Sequence, residues 1–226
     1  MCGRFVRSRP VADYAALFGA EPVAGLPPSW NVAPGQPVLA ARARPGGGRE
    51  LAALRWGLVP SWARDPDRGP RPINARAETA AARPAFRAAL RRRRCLVAAD
   101  GFYEWRATRA GRWPWLFRLA DGAPFGLAGL WERWEGPDGT VLETCAVLTV
   151  EANATVSPVH ARMPLILAER EAVAAWLDPE LQDPAALQEL MAPLPADRLV
   201  AWPVSRAVNS PRRDEPALVE PVAEPA

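Results

Sequence analysis

The sequence contains no lysine: all 28 of its basic residues are arginine. Chemistry that needs a lysine Schiff base is therefore excluded, and an amine doing covalent work in this chain has to be the α-amino group. Histidine is nearly as scarce, with the single residue His160. Cysteine occurs three times, at Cys2, Cys95 and Cys145. That number is odd and the spacing wide, so neither a C-x-x-C motif nor a disulfide framework can be read from it. A metal site on Cys2, Glu104 and His160 would lack any local ligand pair, and the zinc deaminase signature is missing. No metal or cofactor is expected. Also absent are an apolar stretch of signal-peptide length and any run long enough to span a membrane, which points to a reducing, cytoplasmic setting. Neither an internal repeat nor a domain linker is evident.

What is present describes a globular chain. Its 226 residues are 49% hydrophobic and 23% charged, which suits one domain around its own core. The net charge of +3 is mild, so a nucleic-acid partner requires arginine gathered on one face. Pro10–Phe18 reads as a short helix stopped by Gly19, and Leu26–Pro37 as a Pro-rich irregular stretch. Pro45–Gly48 reads as a loop tip and Glu50–Val59 as a strand. Arg83–Arg94 has an amphipathic pattern opened by Pro84, and its arginine run, Arg91–Arg94, suits a solvated helix C-terminus. Strands are expected at Cys95–Ala99 and Phe102–Trp105, hinged at Asp100-Gly101, and at Trp113–Leu119, Phe125–Trp134, Val141–Val150 and Leu165–Leu167. Helices at Glu169–Leu177 and Pro184–Leu190 precede a last strand, Leu199–Val204. The Pro- and Glu-rich tail from Ser210 reads as loosely held. Helices and strands do not alternate, so the pattern predicts an α+β fold of mostly antiparallel strands.

The amino end carries a chemical possibility of its own. Initiator methionine is normally trimmed before a small residue, and a chain beginning at Cys2 presents an amine and a thiol on neighbouring carbons. This 1,2-aminothiol is matched to an aldehyde: the amine forms an imine and the thiol closes a five-membered thiazolidine. With a pKa of about 7.7–8.0, roughly a tenth to a sixth of such amines are neutral at pH 7. The thiol, near about 8.5, is a few per cent thiolate before local help. The alternative is that Cys2 simply fills a buried position.

Six segments accompany the N-terminal Met1-Cys2-Gly3-Arg4-Phe5. They are Trp30–Gly35 (WNVAPG), Trp56–Trp62 (WGLVPSW), Ile73–Thr79 (INARAET), Gly101–Trp105 (GFYEW), His160–Pro164 (HARMP) and Pro203–Asn209 (PVSRAVN). In content and order this set resembles the SRAP (SOS response-associated peptidase) family of abasic-site-shielding proteins, across Cys2 to about Val222. The resemblance implies one domain over residues 1–222, with mostly antiparallel strands in a barrel-like arrangement and peripheral helices. Residues 223–226 lie outside it. It further implies that Cys2 becomes linked to an abasic deoxyribose in single-stranded DNA, with Asn74, Glu104 and His160 completing the site. A DNA-damage role in the SOS response follows, for a monomer in the cytoplasm that associates with the nucleoid when bound to DNA. Ala161 departs from the family pattern, where an Asp often separates the His and the Arg.

Each implied role has a chemical rationale. An abasic sugar is mostly a closed hemiacetal, and opening it calls for an acid–base group; Glu104, desolvated beside Tyr103 and Trp105, suits that task. His160 suits proton transfer as water leaves. Asn74 cannot titrate and suits a positioning hydrogen bond. Arg76 and Arg162 stand two residues after Asn74 and His160; if both stretches are extended, each pair shares a face and the guanidiniums meet flanking phosphates. Arg4 is a weaker candidate of the same kind, and Trp62, after Pro60-Ser61, can stack on a base or wedge a strand–duplex junction. Two other functions remain open: a cysteine peptidase using Cys2, confined perhaps to self-processing of Met1, and a non-covalent DNA-binding module. Weak strand cleavage by β-elimination is a side reaction of any imine formed there.

Overall fold

A computed structural model describes residues 2–109 and 111–223. Its strands in the first half are β1 (Phe5–Arg7), β2 (Glu21–Pro22), β3 (Ser29–Val32), β4 (Pro37–Ala43), β5 (Arg49–Trp56), β6 (Asn74–Arg76) and β7 (Arg94–Ala99). Those in the second half are β8 (Gly101–Thr108), β9 (Gly111–Leu119), β10 (Phe125–Glu135), β11 (Val141–Glu151), β12 (Arg162–Pro164), β13 (Ile166–Leu167) and β14 (Leu199–Pro203). The helices are α1 (Val11–Phe18), α2 (Ala77–Ala80), α3 (Arg87–Arg92), α4 (Arg170–Leu177) and α5 (Pro184–Glu189).

Strands β7, β4, β5, β11 and β10 close on themselves. Antiparallel pairing runs β11–β10–β7–β4–β5, and a parallel pairing of Arg55 with Thr144 and Trp56 with Cys145 completes the ring. Closure leaves no free edge in the ring and explains why β7 is buried at every position. A second, five-stranded sheet in the order β14-β9-β8-β1-β3 packs against this barrel. Its two faces differ by alternation. Phe5, Phe102 and Phe117 join the main core, whereas Val6, Tyr103 and Leu116 join a smaller one with Val204, Val208 and Leu218. The α+β class with mostly antiparallel strands is thus the one observed, with short helices at the periphery.

Several local expectations change. The stretch 26–37 holds β3, and β1 and β4 carry no sequence signal of their own, because tertiary pairing creates them. The helix expected from Arg83 shrinks to α3, and Arg94 enters β7. Arg94 is not solvated either: it is buried and donates to the carbonyls of Trp176 and Leu90, at 2.7 and 2.9 Å, and to that of Asp178. Those are carbonyls near helix C-termini that would otherwise lack donors. The tail is also better held than its composition suggests. Leu218 is buried, Pro221 bridges Val204, and the Val222 amide donates to the Pro203 carbonyl at 2.9 Å. Of the segment 223–226, only residue 223 lies within the described residues. Gly19 does stop α1, in the left-handed conformation at φ 57°.

Candidate active site

The amino end is pinned by β1. Phe5 pairs with Phe102 and Val6 with Gly101, and the Tyr103 amide donates to the Arg4 carbonyl at 3.0 Å. Extending that register by two residues brings Gly3 level with Glu104. Gly101 is needed at the hinge, where a Cβ would stand 3.0 Å from a Leu116 methyl and 3.2 Å from the Phe117 carbonyl. The Phe5 ring packs 5.2 Å from that of Trp56, and burying a side chain of this size contributes about 1.5–3 kcal/mol. These contacts hold Cys2 at the end of the sheet, in the main core, at 0% exposure.

Three other groups meet Cys2 there. The Asn74 amide nitrogen, on β6, donates to the Cys2 carbonyl at 2.7 Å. Its Oδ1 is buried with no partner among the described residues, an open acceptor beside the amino end. Glu104, on the core-facing side of β8, is 2% exposed, and its Oε1 lies 4.0 Å from His160 Nδ1. Burial raises the Glu104 carboxyl above its usual range, against the opposing pull of His160. Burial, and then the Glu104 carboxylate, push the Cys2 thiol well above its ordinary value. The thiol is therefore less ionised here than in a free peptide.

His160 precedes β12 in a bend rather than an extended stretch. The backbone N–H of Arg162 donates to His160 Nδ1 at 2.9 Å, which makes that nitrogen the acceptor and leaves the neutral ring's proton on Nε2. The ring is oriented by the backbone two residues on, so Ala161 removes nothing from this lock. The same bend sends the Arg162 guanidinium elsewhere, onto Glu78 at 2.7 and 2.9 Å and the Thr149 carbonyl at 2.5 Å.

The remaining arginines and Trp62 divide between two places. Asn74 and Arg76 share the outward face of β6, with Ala75 buried between them. Arg76 and Trp62, the latter 67% exposed, line a groove of about 1040 Å³ that reaches Asn74. Arg64, Arg68, Arg71 and Arg83 line it too, and sequence reasoning gave none of them a role. They lie outside regular strands, so no periodicity marked them. Arg4 stands apart: its guanidinium donates to Asn31 Oδ1 at 2.8 Å and to the Val208 and Asn209 carbonyls at 2.6 and 3.3 Å. Glu78 lay in view, four residues past Asn74, but its partner is distant in sequence. Among the described residues no group of three or more His, Cys, Asp or Glu side chains gathers as metal ligands would.

Fold and cluster together define a class: an α+β barrel protein with a cysteine, a buried carboxylate and a histidine assembled at its own amino end, beside an arginine-lined groove. The sequence model of the family described as SOS response associated peptidase (SRAP) matches residues 1–211, and the chain belongs to that family. It is 41% identical over 224 residues to the abasic site processing protein YoqW of Bacillus subtilis (strain 168), covering 97% of this chain and 99% of that one. It is 32% identical over 226 residues to the abasic site processing protein HMCES of Gallus gallus, covering 86% of this chain and 66% of that one. A solved structure of a protein from Bacteroides thetaiotaomicron superposes with a TM-score of 0.86 at 25% identity, covering 98% of this chain and all of that one.

Proposed function

We propose that this protein senses abasic sites in single-stranded DNA and shields them through a thiazolidine link to Cys2. The observation that carries this reading is the convergence of Asn74, Glu104 and His160 on Cys2, at the end of a groove lined by arginines and an exposed tryptophan. Removal of Met1 converts the Cys2 nitrogen from an amide to an amine. It also takes away the residue joined to Cys2, and that is the step that opens a cysteine which is buried in the longer chain. The relatives' names, abasic site processing proteins, support the same substrate.

The chemistry then balances with loss of one water. Glu104, held partly protonated by burial, protonates the sugar ring oxygen as the anomeric hydroxyl gives up its proton, releasing the aldehyde and a 4′-hydroxyl. The Cys2 nitrogen adds to the aldehyde carbon. His160 assists the departure of water, leaving an imine. The sulfur attacks the imine carbon and its proton passes to the nitrogen, closing the ring. Asn74 Oδ1 accepts from the amine or from a sugar hydroxyl during this sequence. Arg76 and its neighbours in the groove take phosphates, and Trp62 takes a base.

The raised thiol decides against a general cysteine peptidase. Such an enzyme needs its thiolate at the first step, and here the thiol is pushed away from ionisation. The amine-first route needs the thiol only to close the ring. Peptidase chemistry is then confined to removal of Met1, and lyase chemistry to the imine stage, which ring closure cuts short. Denaturing electrophoresis after incubation with abasic single-stranded DNA tests this, with peptide substrates in parallel. The parent protein forms a denaturation-resistant adduct and leaves peptides intact. Cys2→Ala keeps an amine, loses the stable adduct and cleaves the strand at least as fast. An equal adduct from that variant overturns the role of sulfur.

A further inference from the structure

Asn74 and His160 reach the site from opposite edges of one strand. Thr149 on β11 pairs with Arg76 of β6 along one edge and with Pro164 of β12 along the other. Each edge carries its own arm. On one side, Asn74 holds the Cys2 carbonyl and the chain runs on into α2, which bears Glu78. On the other, the Arg162 backbone holds His160 Nδ1. The two arms are fastened over Thr149 by the Glu78–Arg162 pair. Both carboxylate oxygens meet the guanidinium, at 2.7 and 2.9 Å, and Arg162 Nη2 also donates to the Thr149 carbonyl at 2.5 Å. The side chains are 46% and 16% exposed respectively. Exposed ion pairs add little to stability, but a bidentate arginine–carboxylate fork fixes geometry in a way that a point contact does not.

We propose that Glu78 is a positioning residue: by gripping Arg162 across β11 it sets the placement of His160 relative to Asn74 and Cys2, and so the rate of bond formation rather than the grip on DNA. This rests on the cross-linking function proposed above. It gives Arg162 a role through its backbone and its pairing, in place of a free cation awaiting phosphate. Small displacements of reacting groups are costly, so a loosened fork acts on the chemical step.

The test separates rate from affinity. Single-turnover cross-linking at saturating abasic single-stranded DNA gives the rate. Binding to the same oligonucleotide carrying a tetrahydrofuran ring, which cannot open, gives the affinity. Glu78→Gln is expected to lower the rate about 10-fold and leave the affinity unchanged. Arg162→Lys, which keeps the charge and loses the fork, should do the same, and combining the two should add little further loss. Glu169→Gln, which breaks the comparable exposed pair with Arg198 at 2.7 Å, is the control and cross-links at the parent rate. Full-rate cross-linking by Glu78→Gln overturns the proposal. So does tighter binding by that variant, which would make Glu78 a shield over a phosphate site, or an equal fall in rate and affinity. A parent protein that forms no cross-link overturns the function itself, and the role of Glu78 with it.

Discussion

Cys2 and Arg4 are two residues apart, yet they belong to regions built on opposite principles. Arg4 sits in a clamp where every group is answered. It donates to Asn31, whose amide nitrogen in turn donates to the Val208, Ser210 and Arg213 carbonyls at 3.2, 3.0 and 2.6 Å. The Trp30 amide meets Asp214, and the Trp105 indole meets Asn209. Around Cys2 the groups are buried without that satisfaction: a thiol and a carboxyl both pushed up, and an Asn74 oxygen with no partner among the described residues. The clamp holds the chain's end against the sheet, whereas the Cys2 region holds reactivity. One strand serves both, since on β8 Glu104 faces the main core while Tyr103 and Trp105 pack with the smaller one. The GFYEW motif therefore contains two functions in alternation, and its conspicuousness in the sequence does not make all of it catalytic.

Substitutions can break this contrast from either side. The largest effect is expected at Glu104→Gln, which keeps the shape and removes the acid. Cross-linking should slow by about 10²–10⁴-fold, measured in single turnover. Stability should move the other way. The folded chain holds the Glu104 proton to higher pH than the unfolded chain, so the parent loses stability as pH rises from the ordinary carboxyl range through the raised value. Glu104→Gln removes that loss, and chemical denaturation of both proteins across this pH range shows it. A variant that is less stable than the parent above that range would assign Glu104 to the scaffold.

Asn31→Ala attacks the clamp. Asn31 is 1% exposed, and its loss strands buried carbonyls, at a cost of about 1–3 kcal/mol in unfolding free energy. Limited proteolysis should cut sooner within residues 205–222, while the folded fraction cross-links at the parent rate. A matching collapse of the cross-linking rate would dissolve the distinction between the two regions. The smallest effect is expected at Arg76→Ala, where one exposed cation is lost from the groove. Binding to single-stranded DNA should weaken modestly at any sequence, and the salt dependence should flatten by about one phosphate contact. An unchanged salt slope would move the DNA path away from the groove.

Much of this was legible in the sequence, for physical reasons that also mark where it stops. Strands β7 to β11 were readable because turn residues such as Asp100-Gly101 and Pro137-Asp138-Gly139 punctuate long apolar runs. β4, an Ala-rich strand begun by a proline and buried inside a closed barrel, has neither alternation nor β-branched enrichment to announce it. Asn74 and Arg76 could be placed on one face because that stretch is a strand, and the same rule misplaced Arg162 because His160 sits in a bend. The destinations of Arg4, Arg94 and Glu78 depended on partners 27 to 204 residues away, which local spacing does not encode.

The central claim concerns the amine of Cys2, and intact-protein mass spectrometry tests it most directly. The protein is incubated with an abasic single-stranded oligonucleotide, once with a free amino end at Cys2 and once with that end blocked by a short tag. The account predicts an adduct only on the free form, at the summed masses of protein and DNA less one water. An adduct of equal yield on the blocked form would contradict it.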